Sequence, residues 1–133
     1  QIGQRATGYS SKDFQWAIDR GVRVVQAEEC WLRSLTPLMS EVRDLIGDDT
    51  PTYLTFDIDG IDPAYAPGTG TPEPAGLTSP QALEIIRGMY GTNLIGADLV
   101  EVSPPYDTSG NTSLLAANLV FEMLCSFPGC IRR

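Results

Sequence analysis

Leu54-Thr55-Phe56-Asp57-Ile58-Asp59-Gly60-Ile61-Asp62-Pro63 runs from β-branched and aromatic residues into two carboxylates one position apart, then into a glycine and a proline. The composition of residues 52–59 predicts a strand. Successive side chains of a strand point to opposite faces, so Phe56 and Ile58 are expected to enter a core while Asp57 and Asp59 project together from the other side. Two adjacent carboxylates repel unless a cation neutralises them, and an all-oxygen site suits Mg²⁺, Mn²⁺ or Ca²⁺ rather than copper or a structural zinc. The alternative is a pair of solvated acids entering a turn. Residues 60–77, dominated by Gly, Pro and Thr, read as a long structured loop. Within it Thr69 and Thr71 are candidates for lining a substrate cleft, turn chemistry accounts for Gly68, Gly70 and Pro72, and Asp62 reads as a turn-fixing acid.

Upstream, Ser10 and Ser11 offer N-caps for a helix carrying Phe14, Ala17 and Ile18 on one face and closed by Gly21, after which residues 22–27 read as a buried strand. Thr36 and Pro37 form an N-cap and first-turn pair, and Leu38, Met39, Val42, Leu45 and Ile46 recur at helical spacing until Gly47. Downstream, Ser79 and Pro80 open a helix that turns Leu83, Ile86 and Tyr90 inward and stops at Gly91. Residues 94–102 are expected to be a strand. Residues 112–126 carry apolar side chains almost all round and are expected to form a well-buried helix. Alternation of strand and helix with short connections predicts an α/β fold, a parallel sheet with helices on both faces, whose ligands bind beyond the carboxyl ends of the strands.

The chain has 133 residues, a formal net charge of -8 from 9 basic and 17 acidic side chains, and 42% hydrophobic residues, which predicts a single domain over residues 1–133 without repeats. Its longest basic run is Arg132-Arg133, so nucleic acid is not an expected partner. No apolar run approaches the roughly 20 residues that cross a bilayer, and the start lacks the regions of a signal peptide, so neither membrane insertion nor export is expected. Cys30, Cys125 and Cys130 are an odd number in a chain with ample apolar content, which fits a reducing intracellular compartment, and Cys30 and Cys125 read as small core residues. Histidine is absent, which removes imidazole acid-base chemistry and His-ligated metals and leaves carboxylates, hydroxyls and thiols. An EF-hand loop fails because its fifth and sixth positions would be Ile61 and Asp62. A haloacid-dehalogenase-type phosphatase also fits poorly, since the one lysine, Lys12, lies upstream of the D-x-D.

A second stretch, Gly96-Ala97-Asp98-Leu99-Val100-Glu101-Val102-Ser103-Pro104-Pro105-Tyr106-Asp107, places Glu101 near the end of the next strand, flanked by apolar residues. Burying that acid is costly unless it is paired, either with a protein partner such as Arg or a backbone donor or with a cationic ligand. Adjacent parallel strands would bring Glu101 to the rim that carries Asp57 and Asp59. Asp98 reads as a supporting or buried partner.

Together the two stretches resemble the ureohydrolases, the arginase and agmatinase family, and its agmatinase branch more closely. TFDIDGIDPAYAPGTGTPEPAGLT at residues 55–78 is similar to the family's metal-binding signature, and GADLVEVSPPYD at residues 96–107 to its substrate-binding strand. The resemblance extends from Gln1 to the region of Leu124. It implies an arginase-like three-layer α/β/α fold and a binuclear Mn²⁺ centre at which a metal-bridging hydroxide attacks a guanidinium carbon, releasing urea and an amine. By the same resemblance Asp57 bridges both metals, Asp59 binds one, and Glu101 holds the guanidinium as catalytic and substrate-binding residue, with Thr71 also on the substrate. It further implies polyamine metabolism, a mitochondrial or cytoplasmic location and a homo-oligomer for the full-length protein. The family's His-containing G-G-D-H and D-A-H-x-D motifs are absent, so the chain is expected to be a C-terminal portion lacking the N-terminal part of the fold. An alternative is a non-catalytic homologue or truncated product that binds a partner chain.

Overall fold

The computed structural model describes residues 1–5 and 11–130; Ser10, Arg132, Arg133 and the side chains of Ser11 and Phe14 lie outside the described residues, and with them the capping expected there, while of the face expected to turn inward Ala17 is buried and Ile18 is exposed at 64%. In chain order the elements are β1 (Ile2–Gln4), α1 (Ser11–Asp19), β2 (Val25–Gln26), α2 (Ala27–Cys30), α3 (Thr36–Ile46), β3 (Thr52–Asp57), α4 (Ser79–Gly88), β4 (Leu94–Val100) and α5 (Asn111–Ser126). Strands β1 and β2 form one parallel pair, and β3 and β4 form another. In the second pair Leu54 lies beside Ala97, Phe56 beside Leu99 and Asp57 beside Val100. The connection from β3 to β4 runs through α4, as a parallel pair requires, because a tight turn cannot reverse the chain twice.

One face of this pair feeds the core. Leu54, Phe56, Ala97 and Leu99 pack with Leu38 and Met39 of α3, Ile85 and Ile86 of α4, and Leu119 and Met123 of α5. The other face carries Tyr53, Thr55 and Asp98; Tyr53 and Thr55 each donate a hydroxyl hydrogen bond to the Asp98 carboxylate, at 2.9 and 2.6 Å. Asp98 is thus a cross-strand acceptor for its neighbours.

Several boundaries differ from expectation, each for a local reason. The strand expected over residues 22–27 shrinks to Val25–Gln26, because Gln26 and Glu29 form a reciprocal cap that starts α2 at Ala27. Helix α3 is capped at Leu35 rather than Thr36, its Leu35 N–H donating 2.7 Å to the Glu84 carboxylate of α4. Helix α4 is capped by Thr78, whose hydroxyl accepts from the Gln81 N–H while Gln81 reaches back to the Thr78 N–H. Gln81 also donates its side-chain amide to the carbonyls of Cys30 and Arg33, so one buried residue ties α4 to the segment after α2. Helix α5 is apolar all round but not buried all round. Ala116, Leu119 and Met123 enter the core, whereas Leu114, Phe121 and Leu124 face outward at 73%, 62% and 61% exposure.

Candidate metal and substrate site

Strand β3 ends at Asp57, two residues earlier than expected. The Asp57 carboxylate accepts from the Asp59 N–H at 2.9 Å and so turns the chain into a 3₁₀ turn over Ile58–Gly60. A short aspartate satisfying a backbone donor two residues on is an alternative to extending the ladder, and here it prevails. Ile58 is fully buried beneath the turn. Asp57 and Asp59 nevertheless border the same cavity of about 820 Å³, with Thr71, Arg5, Glu73 and Thr55 also on its wall. The turn, not strand alternation, sets where Asp59 stands relative to Asp57.

Electrostatics at the pair follow from this packing. Desolvation, reinforced by the Asp59 charge, raises the Asp57 carboxyl above its ordinary value, against the opposing pull of the Asp59 N–H and Arg5. Both carboxylate oxygens of Asp59 accept hydroxyl hydrogen bonds, one from Thr69 and one from Thr71. The main chain is fixed as well. The Arg5 guanidinium donates to the carbonyl of Asp59 at 2.8 Å and that of Ile61 at 3.3 Å, and to the carbonyls of Glu73 and Pro74. Gly76 leaves room for it, since a Cβ there would lie 2.7 Å from Arg5 Nη2. Arg5 thereby clamps the D-x-D turn to the far limb of the loop. Nothing local in the sequence announces this, because the partners are carbonyls 54 to 69 residues away.

Glu101 follows directly on β4, whose last residue Val100 lies beside Asp57, so the glutamate sits at the rim where the D-x-D turn begins. It is exposed rather than buried, and its backbone is left-handed at φ 66°, which is what stops the strand at Val100 instead of Val102. A non-glycine residue in that region costs on the order of 1–3 kcal/mol and persists only where its surroundings hold it. The Glu101 carbonyl accepts from the Thr69 hydroxyl at 2.9 Å, Thr69 and Val102 form an antiparallel bridge, and the Ser103 N–H donates 2.8 Å to the Gly68 carbonyl. The glycine-rich loop is thus stitched across the end of β4.

Gly68 serves close approach rather than turn geometry. A Cβ there would collide with the Asp107 side chain and lie 2.9 Å from the Thr112 hydroxyl, which itself accepts from the Gly68 N–H at 2.8 Å. Asp107 in turn accepts from the Thr112 and Ser113 N–H groups at 3.1 and 2.8 Å, capping the start of α5, and these donors hold its carboxyl below the ordinary aspartate value. Asp62 is turn-fixing as expected, accepting from the Ala64 and Gly76 N–H groups at 2.8 and 3.1 Å.

As donors for a divalent ion, Asp57 and Asp59 are of the right hard-oxygen type for Mn²⁺ and too few to hold it. Among the described residues no group of three or more His, Cys, Asp or Glu side chains is placed to bind a metal, and both Asp59 oxygens are engaged by hydroxyls. The described residues therefore do not complete a metal centre. Cys30 is fully buried, its thiol pushed up by burial. Among the described residues no helix is long and apolar enough to cross a membrane.

Comparison with known proteins places this arrangement. The sequence profile of the Arginase family matches residues 1–125. Guanidinobutyrase of Pseudomonas aeruginosa is 68% identical over 100% of this chain and 41% of its own length. The mitochondrial agmatinase of Gallus gallus is 64% identical over 97% of this chain and 38% of its own, and the human mitochondrial guanidino acid hydrolase 62% over 96% and 36%. Among solved structures, proclavaminate amidino hydrolase from Streptomyces clavuligerus superposes with a TM-score of 0.88 at 39% identity, over 96% of this chain and 42% of that one. Arginase from Bacillus caldovelox gives 0.81 at 27%, over 92% and 41%. The chain spans about two fifths of the length of the curated relatives it matches.

Proposed function

The chain belongs to the arginase family, of whose α/β fold it carries a C-terminal portion, and on that premise we propose that the protein it belongs to hydrolyses a linear guanidine to urea and an amine. The observation that carries the reading is the convergence of Asp57, Asp59 and Thr71 on one cavity, with Glu101 on the adjacent strand end at the same rim. In this reading Mn²⁺ is the cofactor, Asp57 and Asp59 supply two of its ligands, and sequence beyond this chain supplies the others. Glu101 is the catalytic and substrate-binding residue: a carboxylate offers a planar guanidinium two parallel charge-assisted hydrogen bonds and balances its charge. Thr71, on the cavity wall, borders the substrate.

The relatives' names divide the substrate between agmatine and guanidino acids, and the 68% identity to a guanidinobutyrase inclines the reading toward a guanidino acid. Mitochondrial or cytoplasmic residence, polyamine metabolism and homo-oligomer formation belong to the same proposal. The test is urea release by the full-length protein loaded with Mn²⁺, on agmatine, 4-guanidinobutyrate and 3-guanidinopropionate. Hydrolysis of at least one is expected, and none on any of the three would overturn the reading.

A further inference from the structure

Thr69 borders neither the cavity nor solvent, yet its hydroxyl touches both halves of the site. It is 3% exposed, and its Oγ1 lies within hydrogen-bonding reach of an Asp59 carboxylate oxygen and, at 2.9 Å, of the Glu101 carbonyl. Its backbone also bridges Val102, the residue after Glu101. We propose that Thr69 is a positioning residue that sets where the Glu101 carboxylate stands relative to the D-x-D turn; this rests on the reading above, in which Glu101 holds the substrate.

A left-handed φ of 66°, as at Glu101, is sparsely populated by non-glycine residues and survives only where neighbours over-determine it. On the upstream side that neighbour is the β4 ladder, ending at Val100. On the downstream side two restraints come from the loop, namely the Thr69 hydroxyl on the Glu101 carbonyl and the pairing of Thr69 with Val102, whose backbone bond is the Ser103 N–H on the Gly68 carbonyl. The first of these is the one a Thr69 side-chain change removes. Releasing the carbonyl lets φ relax toward the extended region, which swings Cβ and carries the carboxylate away from its rim position. Thr69 is 3% exposed, so its side of the contact is closed to water. Its single hydroxyl proton is shared between the Glu101 carbonyl and the Asp59 carboxylate, so the restraint is a relative one that links the strand end to the turn bearing the second aspartate.

The test uses the full-length protein with Thr69→Val, which keeps the branched shape and removes the hydroxyl, and Thr69→Ser, which restores it. Misplacing a substrate-holding group by about 1 Å costs on the order of 10²-fold, so Thr69→Val is expected to lower kcat/KM by ~10²-fold. A raised KM should carry much of that loss, with Mn²⁺ content retained, and Thr69→Ser should return kcat/KM to within a few-fold. Unchanged kinetics in Thr69→Val, or a loss that Thr69→Ser does not repair, would overturn the proposal. Amide hydrogen exchange gives a readout independent of turnover: faster exchange at Ser103 in Thr69→Val supports the tether, and unchanged exchange refutes it. If the wild-type protein hydrolyses no guanidine, the functional reading falls, and the exchange result alone decides whether Thr69 holds this strand end.

Discussion

The rim around Asp59 and the outer face of α5 are built to opposite standards. At the rim, the carboxylates of Asp59, Asp62 and Asp107 each accept from groups of this same chain, and four carbonyls share one guanidinium. Along α5, four large apolar side chains, Leu114, Val120, Phe121 and Leu124, are exposed, and Tyr53 and Ile95 are likewise on the sheet, at 59% and 64% exposure. The contrast teaches that this rim is held by hydrogen bonds within the chain, whereas faces of its helix and sheet stand exposed. Pre-organisation of the rim and independence of the fold are therefore separate properties.

The largest expected effect separates them outright. The 133-residue chain expressed alone is expected to release no urea, to bind Mn²⁺ only weakly in calorimetry, and to self-associate in sedimentation because of its apolar flanks. Adding the remaining part of the protein, in cis or as a second chain, should restore metal binding. Robust metal-dependent hydrolysis by the isolated chain would break the contrast and show that the site has been assigned to the wrong residues.

A second, smaller effect probes the rim alone. In the full-length protein Glu101→Gln exchanges charged hydrogen bonds for neutral ones and is expected to lower kcat/KM roughly 10- to 100-fold while metal content is kept. Loss of metal would instead make Glu101 part of the ion site. Third, Gly68→Ala forces a methyl group against Asp107 and Thr112 and should destabilise the full-length protein by about 1–3 kcal/mol in denaturant unfolding. No change there would mean that the loop crosses α5 with slack.

The smallest effect is one of pH. Asp107 is held below its ordinary value in the folded state, so its contribution to stability is fully present above the unfolded aspartate value, about 3.9, and is lost as pH falls through the lower folded value. Asp107→Asn should flatten that acidic limb of thermal stability measured between about pH 5 and pH 2, relative to wild type, and leave the dependence near neutrality unaltered.

Much of this was legible because it is local. Helix α3 ends at Ile46, before Gly47, as its apolar spacing predicts, and the strand before the D-x-D and the loop after it stand where composition places them. What was illegible is tertiary. Strand β1 is three residues long, too short for any periodicity, and Arg5 finds carbonyls 54 to 69 residues away, in the middle of the chain. The early end of β3 depends on an aspartate choosing a backbone donor over the ladder, and alternation cannot register that choice. The outward side of α5 was misjudged because an apolar helix is read as buried whether or not this chain supplies its cover.

The crossing of Gly68 over the start of α5 makes Thr112 a remote member of the site. Thr112 is wholly enclosed, belongs to a helix and approaches neither aspartate of the turn, yet its hydroxyl holds the strand of loop from which Thr69 reaches Asp59 and Glu101. In a saturation-mutagenesis screen that scores turnover and abundance side by side, Thr112 should therefore separate from core neighbours such as Leu119. Leu119 variants would lose both scores together, whereas Thr112→Ser would be silent and Thr112→Val would lose turnover out of proportion to abundance.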